Sequence, residues 1–401
     1  MLKKKMYILI AVIVLALTLL GIIYSKNIER LMFASTLFSG AEQYENFNRV
    51  ADFYPVSTMR SAAKPFDFPD GDLIKLPTSF TYNNMDVDVD GFIKETDTSS
   101  LLVLHEGKVV FEQYMLTGGR DVNWLSMSVA KSFIATAIGI AVDEGLIDIQ
   151  KAITDYVPSL LGSAYDNVRV KDVLQMSSGA EWNEDYSDPN SDINSLAKIM
   201  AFGGSFDEFT AGLVRDNEPG TLNHYNSADT QALGMLLARA TEKSVTEYIE
   251  EKLWRPLGME SNGYWILDDH NVEMAFGGLN ATARDYAKLG ELHLQKGKWQ
   301  GKQIVSEEWV NNATTPDAPH VMPGANPAYP LGYGYQWWIP ASDEGEYSAV
   351  GVYNQFIYVN PARALVLVKL SAYSDYGVSL EESAYRELET MEFFREIGRQ
   401  F

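Results

Sequence analysis

The stretch Trp124-Leu125-Ser126-Met127-Ser128-Val129-Ala130-Lys131-Ser132-Phe133 decides how this chain reads. From Ser128 to Val142 small and apolar residues fall on every side, at Ala130, Phe133, Ile134, Ala137, Ile138 and Ile140, which predicts a helix buried all round. Its first turn holds a Ser-x-x-Lys. Residues three apart share a helix face, so Ser128 and Lys131 meet. A hydroxyl is a weak nucleophile until a neighbour takes its proton, and a lysine in a poorly solvated site can have its pKa lowered enough to help. The Ser128 backbone N–H, at a helix N-terminus, can also face a developing oxyanion. Ser126 is a rival hydroxyl, but no lysine follows it at that spacing. Alone, the pattern is weak, because Ser and Lys are common.

Outward from this helix the pattern changes period. Leu101 to His105 is strand-like, Glu106-Gly107 turns the chain and Lys108 to Tyr114 returns, a hairpin signal. Near the other end, Gln355 to Val359 and Leu365 to Leu370 flank the turn Asn360-Pro361-Ala362-Arg363, a second hairpin. Between about 150 and 330 the chain is mainly helical with long loops, and Leu380 to Ile397 is amphipathic. Strands near both ends with helices between them predict an α/β fold of the α+β type. It has an antiparallel sheet built from both chain ends, flanking helices and an inserted, mainly helical region, with a cleft between the two. Residues 25–95 lack sustained periodicity and read as a stalk or extended segment draped over the body, which is residues 96–401.

Composition narrows the function. The 401 residues are 46% hydrophobic and 21% charged, ordinary for a globular chain. Thirty-two basic against 54 acidic side chains give a net charge of -22, which repels phosphate backbones and excludes nucleic acid as a partner. No cysteine is present, so disulfides, thiolate metal sites and a thiol nucleophile are excluded.

The N-terminus reads as an address. Residues 1–5 carry the cluster Lys3-Lys4-Lys5, and residues 6–24 are an uncharged apolar run just long enough to span a bilayer. No small-x-small cleavage site follows, which favours an uncleaved transmembrane anchor over a secretory signal. With lysines held inside, the expectation is a single-pass protein of the bacterial inner (cytoplasmic) membrane, its body on the periplasmic or extracytoplasmic side.

Two further clusters carry chemistry. Pro219-Gly220-Thr221-Leu222-Asn223-His224-Tyr225-Asn226-Ser227 precedes a helix, and a loop bearing Tyr-x-Ser can offer the Tyr225 phenol and the Ser227 hydroxyl to a cleft. A tyrosine packed in a Pro-Gly turn is the plainer alternative. Ser348-Ala349-Val350-Gly351-Val352 precedes the last hairpin, and Gly351 permits close backbone approach to a ligand. Ser-x-x-Lys, then Tyr-x-Ser about a hundred residues on, then a small-residue strand ending in glycine is the ordered signature of the serine β-lactamase and penicillin-binding superfamily, which this chain resembles from about residue 95 onward.

The resemblance is to the class C β-lactamase and esterase branch. Ser178-Gly179-Ala180-Glu181-Trp182-Asn183-Glu184-Asp185-Tyr186 and Gly332-Tyr333-Gly334-Tyr335-Gln336-Trp337-Trp338 are similar to hydrolases of 6-aminohexanoate (nylon) oligomers. The resemblance implies Ser128 as acylated nucleophile, Lys131 as its activator and Tyr225 as proton relay, base in acylation and acid toward the leaving group. It implies an oxyanion hole from the backbone N–H groups of Ser128 and Val352, with Tyr186, Ser227 and Gly351 at the substrate. Trp337 can line the cleft or fill the core. The third motif departs from the family's Lys-Thr-Gly: Ala349-Val350-Gly351 offers no cation to a β-lactam carboxylate.

The expected reaction is therefore hydrolysis of a small ester or linear amide through an acyl-enzyme on Ser128, with no metal and no organic cofactor. A cell-wall peptidase or a non-catalytic binding module of the same fold are the alternatives. No Gly-x-Ser-x-Gly elbow supports a Ser-His-Asp arrangement. Asp188-x-Asn190-x-Asp192 imitates a calcium loop but places isoleucine at the positions needing glycine and glutamate, Ile193 and Ile199, so it reads as a hydrogen-bonded loop.

Overall fold

The computed structural model describes residues 5–7, 10, 25–38, 43–327 and 329–401. The expected anchor over residues 6–24 and the lysine cluster before it fall almost wholly outside that set. Among the described residues, no helix is long and apolar enough to cross a membrane.

Seven strands form the main sheet: β1 (Thr98–His105), β2 (Lys108–Tyr114), β3 (Gly332–Tyr333), β4 (Trp338–Ile339), β5 (Tyr347–Gly351), β6 (Gln355–Asn360) and β7 (Leu365–Ser371). Their order is β3-β4-β5-β6-β7-β1-β2, antiparallel throughout. The pairing of β7 with β1, Leu365 opposite His105 and Val368 opposite Leu102, joins the two chain ends into one sheet, as the hairpins predict. Alternate residues of these strands point to opposite faces. Leu102, Leu104, Ile357, Val359, Val366 and Val368 pack into one core, and Leu101, Val103, Phe356, Tyr358, Leu365 and Leu367 into another. Both faces are covered, so the strands read as continuous apolar runs.

Six longer helices complete the frame: α1 (Ser25–Leu37), α2 (Ala130–Asp143), α3 (Asp192–Phe202), α4 (Ser227–Thr241), α5 (Ala283–Leu294) and α6 (Leu380–Gly398). The first core takes Tyr286, Leu289 and Leu292 of α5, while Phe393, Phe394 and Ile397 of α6 close the second. Gly290 of α5 lets that helix sit close on the sheet, since a Cβ there would come within 2.6 Å of Val366 Cγ1. Twelve of the 14 residues of α2 are buried, as its all-round apolar pattern demands.

Residues 25–95, which read as a stalk or extended segment, are in part built into this body. Phe33, Leu37, Phe47, Val50, Tyr54 and Met59 join the first core, and the strand Val56–Met59 pairs with Gly263–Ile266. That pairing makes it the edge of a second, four-stranded sheet whose opposite edge is Trp124–Leu125, immediately before Ser128. The segment escapes sequence reading because its elements are four to 13 residues long, too short to set a period.

Candidate active site

Ser128 stands where the second sheet meets α2. A single 3-10 turn, Met127–Val129, joins them, and Met127 enters it with φ +49°, a left-handed conformation that a side-chain-bearing residue adopts at a cost of about 1–3 kcal/mol. The turn is pinned from both sides: Ser126 N–H donates to Leu279 O (3.1 Å) and Val129 N–H to Ser126 O (3.2 Å). Ser128 is left 7% exposed at the cavity floor, and Lys131 lies under it, 1% exposed.

Lys131 Nζ reaches three oxygens: Ser128 Oγ and Ser227 Oγ at 3.1 Å each, and the carbonyl of Phe276 at 2.6 Å. Burial lowers its pKa from 10.5 to about 7, against the opposing pull of Glu184 and Asp229. A substantial fraction is therefore neutral amine near pH 7, able to accept a proton. Tyr225 goes the other way. Burial pushes its phenol well above 10, reinforced by Tyr333 and Glu184, and a hydrogen bond to Ser128 only partly offsets this. The group beside Ser128 is thus a neutral phenol. Its ring stacks on Trp338, centroids 5.2 Å apart at 24°.

Glu184 is the residue that motif reasoning missed. Its carboxylate accepts from Ser227 Oγ (2.7 Å), Ser227 N–H (3.1 Å), Tyr186 Oη (2.8 Å) and Trp182 Nε1. It thereby ties the Tyr-x-Ser loop to the Trp182–Tyr186 loop. The signal was present in Trp182-x-Glu184-x-Tyr186, but nothing in the sequence says that one carboxylate bonds to both flanking aromatics and to a residue 43 positions on. Asp229, one turn into α4, is fully buried, and accepts from Ser178 Oγ (2.6 Å) and Tyr165 Oη (3.0 Å); burial raises its pKa to about 7.

The other predicted residues divide. Val352 begins the turn Val352–Asn354 between β5 and β6, in which Tyr353 (φ +64°) and Asn354 (φ +71°) are left-handed. The turn is braced by Gln355 Nε2, which donates to Val352 O and Tyr353 O, and by buried Lys369, whose Nζ donates to Asn354 Oδ1. Ser128, Val352 and Tyr186 all line the cavity. Gly351 is not among the residues that line it. A Cβ there would lie 2.4 Å from Ser126 O, so the glycine brings β5 against the backbone leading into Ser128. Ser227 keeps its hydroxyl engaged with Lys131 and Glu184. Trp337 is wholly buried in the core beside His293 and Tyr347, centroids 4.6 and 5.2 Å away, so its place at the substrate is corrected. Its neighbour Trp338 faces the cavity instead, because adjacent residues of an extended strand point to opposite sides. His224 lines the cavity rim. Asp188, Asn190 and Asp192 hydrogen-bond Asn183 or their own loop. Among the described residues no cluster of His, Asp and Glu has the arrangement of a metal site.

Ser128 borders two cavities. One, about 380 Å³, is lined by Tyr225, Trp338, Tyr329 and Tyr376 and by the acidic side chains Glu184, Asp185 and Glu387. Glu387, on α6, accepts from Tyr329 Oη and Tyr376 Oη, and burial raises its pKa to about 7. No lysine or arginine lines this cavity among the described residues. The other, about 350 Å³, is also bordered by Tyr186 and Tyr376.

Known proteins share this chain's family and fold. The profile of the beta-lactamase family matches residues 89–392. A 6-aminohexanoate-dimer hydrolase of Paenarthrobacter ureafaciens is 33% identical over 298 residues, 72% of this chain and 76% of that protein. A solved Bacillus anthracis structure, provisionally assigned as a 6-aminohexanoate-dimer hydrolase, superposes with a TM-score of 0.81 at 22% identity, covering 91% of this chain and 96% of that one. A family VIII carboxylesterase superposes with a TM-score of 0.56 at 19% identity over 74% of this chain and 95% of its own. The chain belongs to the beta-lactamase family and is a serine hydrolase.

Proposed function

We propose that this enzyme cleaves a linear amide or carboxylic ester through an acyl-enzyme on Ser128. The observation that carries the reading is the buried amine of Lys131, with a pKa of about 7, 3.1 Å from the Ser128 hydroxyl. Ser128 Oγ attacks the carbonyl carbon while its proton passes to Lys131. The oxyanion is held by the N–H groups of Ser128 and Val352. Tyr225, a phenol at neutral pH, donates its proton to the departing nitrogen or oxygen and recovers one from Lys131, so its first role is acid rather than base. Water then attacks the ester on Ser128 and the same groups run in reverse. The Paenarthrobacter relative is named as a hydrolase of the 6-aminohexanoate dimer, which favours linear amides. The acidic lining beside Tyr225 disfavours substrates that carry a carboxylate there, β-lactams included.

Intact-mass labelling with a fluorophosphonate probe tests the nucleophile. One adduct is expected on the wild type and none on Ser128→Ala, with labelling of Lys131→Ala slowed at least about a hundredfold. A folded Ser128→Ala variant that still takes the probe would refute the assignment.

The apolar run 6–24 behind a lysine cluster supports a second proposal, that the body is tethered to the inner membrane on its outer side. Carbonate-resistant sedimentation of the full chain, lost when it begins at Ser25, is the expected result. Full extraction by carbonate would count against a spanning helix.

A further inference from the structure

Ser128 and Val352 border both cavities, whereas Tyr225, His224 and Asn223 border only the acidic one. On the reading above, the leaving group must lie against Tyr225, which protonates it. The acyl group is then left for the other cavity, which Tyr186 and Tyr376 also border. The cavity it enters differs in chemistry: Phe38, Ile193, Met200, Met274, Phe276 and Val378 supply its walls, and no charged side chain lines it among the described residues. Several of its polar side chains are already engaged. Ser227 Oγ is held by Lys131 and Glu184, and Asn194 Nδ2 donates to the carbonyls of Tyr186 (3.1 Å) and Asp188 (2.8 Å).

The cavity also continues. Phe38, Tyr186, Asn194, Ala197 and Met200 line a further space of about 370 Å³, bordered by Ala34 of α1 and Lys198 of α3, that opens more widely to the outside. The path from the nucleophile therefore runs between the end of α1 and one face of α3.

We infer that this second cavity is an acyl-chain subsite and that the natural substrate is an ester or amide of an unbranched aliphatic acid. A mainly apolar wall with no charged side chain among the described residues offers no ion pair to a charged acyl group. It gains about 0.8 kcal/mol per methylene withdrawn from water, which is roughly a fourfold gain per carbon. The proposal rests on Ser128 being the nucleophile and on Tyr225 serving the leaving group.

The test is the kcat/KM of the full chain on p-nitrophenyl esters from acetate to decanoate, with Ser128→Ala as the blank. Expected is a rise of about threefold to fourfold per carbon through hexanoate at least, levelling where the cavity is full. In Ala197→Phe the hexanoate-to-acetate ratio should collapse toward one; in Met200→Ala, which lengthens the same wall's reach, the plateau should move to longer chains. Ser128-dependent turnover with a flat or falling chain-length profile would overturn the acyl-chain subsite and leave the hydrolase intact. No Ser128-dependent turnover of any ester, together with no fluorophosphonate adduct, would overturn both.

Discussion

At the scale of single residues, the proposed mechanism rests on opposite shifts in two neighbours. Burial makes Lys131 a base near neutrality and keeps Tyr225 an acid. The pH dependence follows. A lysine whose pKa falls to about 7 carries its proton below that value and cannot take one from Ser128, so kcat/KM should fall about tenfold per unit on the acid side. Glu184 raises the Lys131 pKa by attraction, so removing its charge lets the amine lose its proton earlier. In Glu184→Gln the acid limb should move down by at least about half a unit. Because Asp229 is also pushed to about 7 and lies in the same field, the apparent value belongs to the cluster. A limb that stays in place in Glu184→Gln would assign it to Glu387 instead, whose shift comes from burial and its two tyrosine partners and not from Glu184, and a pH series on purified variants decides. Ser128, Lys131 and Tyr225 were legible in the sequence because each sits in a short ordered motif. Glu184 and Asp229 were not, since their effect depends on burial and through-space charge that no local spacing encodes.

At the scale of elements, the hairpins, the buried helix and the closing amphipathic helix could be read directly, because each carries its own period and its own turn residues. What a strand's neighbours are made of could not. Trp337 and Trp338 look equivalent in sequence and do opposite work: one fills the core behind the sheet, the other stacks on Tyr225. Truncating them separates the roles. Trp337→Ala should cost about 3–5 kcal/mol of stability, read as a fall in the urea midpoint. Trp338→Ala, on a half-buried side chain, should cost less and act on catalysis, because Tyr225 loses the ring that orients it. A Trp338→Ala variant with unchanged kcat and KM, or a Trp337→Ala variant as stable as the wild type, would undo this division. Gly351 makes the same point for backbone. Its sequence context announced a close approach, but only the fold reveals that the Ser126 carbonyl is a partner in it.

At the scale of the whole molecule, the turn that carries Ser128 depends on a segment that the sequence left shapeless. The second sheet runs Val56–Met59, Gly263–Ile266, Leu279–Ala281, Trp124–Leu125, so the strand leading into Ser128 is anchored through two others to a strand from the N-terminal segment. Charge ties the same parts together. Arg284 binds Glu112 and Asp67, Arg120 binds Asp67 and Glu260, and Arg284 is almost fully buried. Losing Asp67 would leave that arginine with one carboxylate fewer in a poorly solvated place, a costly arrangement. A chain beginning at residue 96 keeps nearly all of the family match yet loses Phe33, Leu37, Phe47, Val50, Tyr54, Met59 and the Val56–Met59 edge. Each large side chain removed from a core costs on the order of 2–5 kcal/mol, and a domain's whole stability is about 5–15 kcal/mol. The short chain should therefore fail to unfold cooperatively in urea, while a chain beginning at Ser25 unfolds in one transition and keeps its fluorophosphonate adduct. If the chain from residue 96 instead melts with the same midpoint and labels at the same rate, the N-terminal segment is an ornament on the fold rather than the support of its nucleophile.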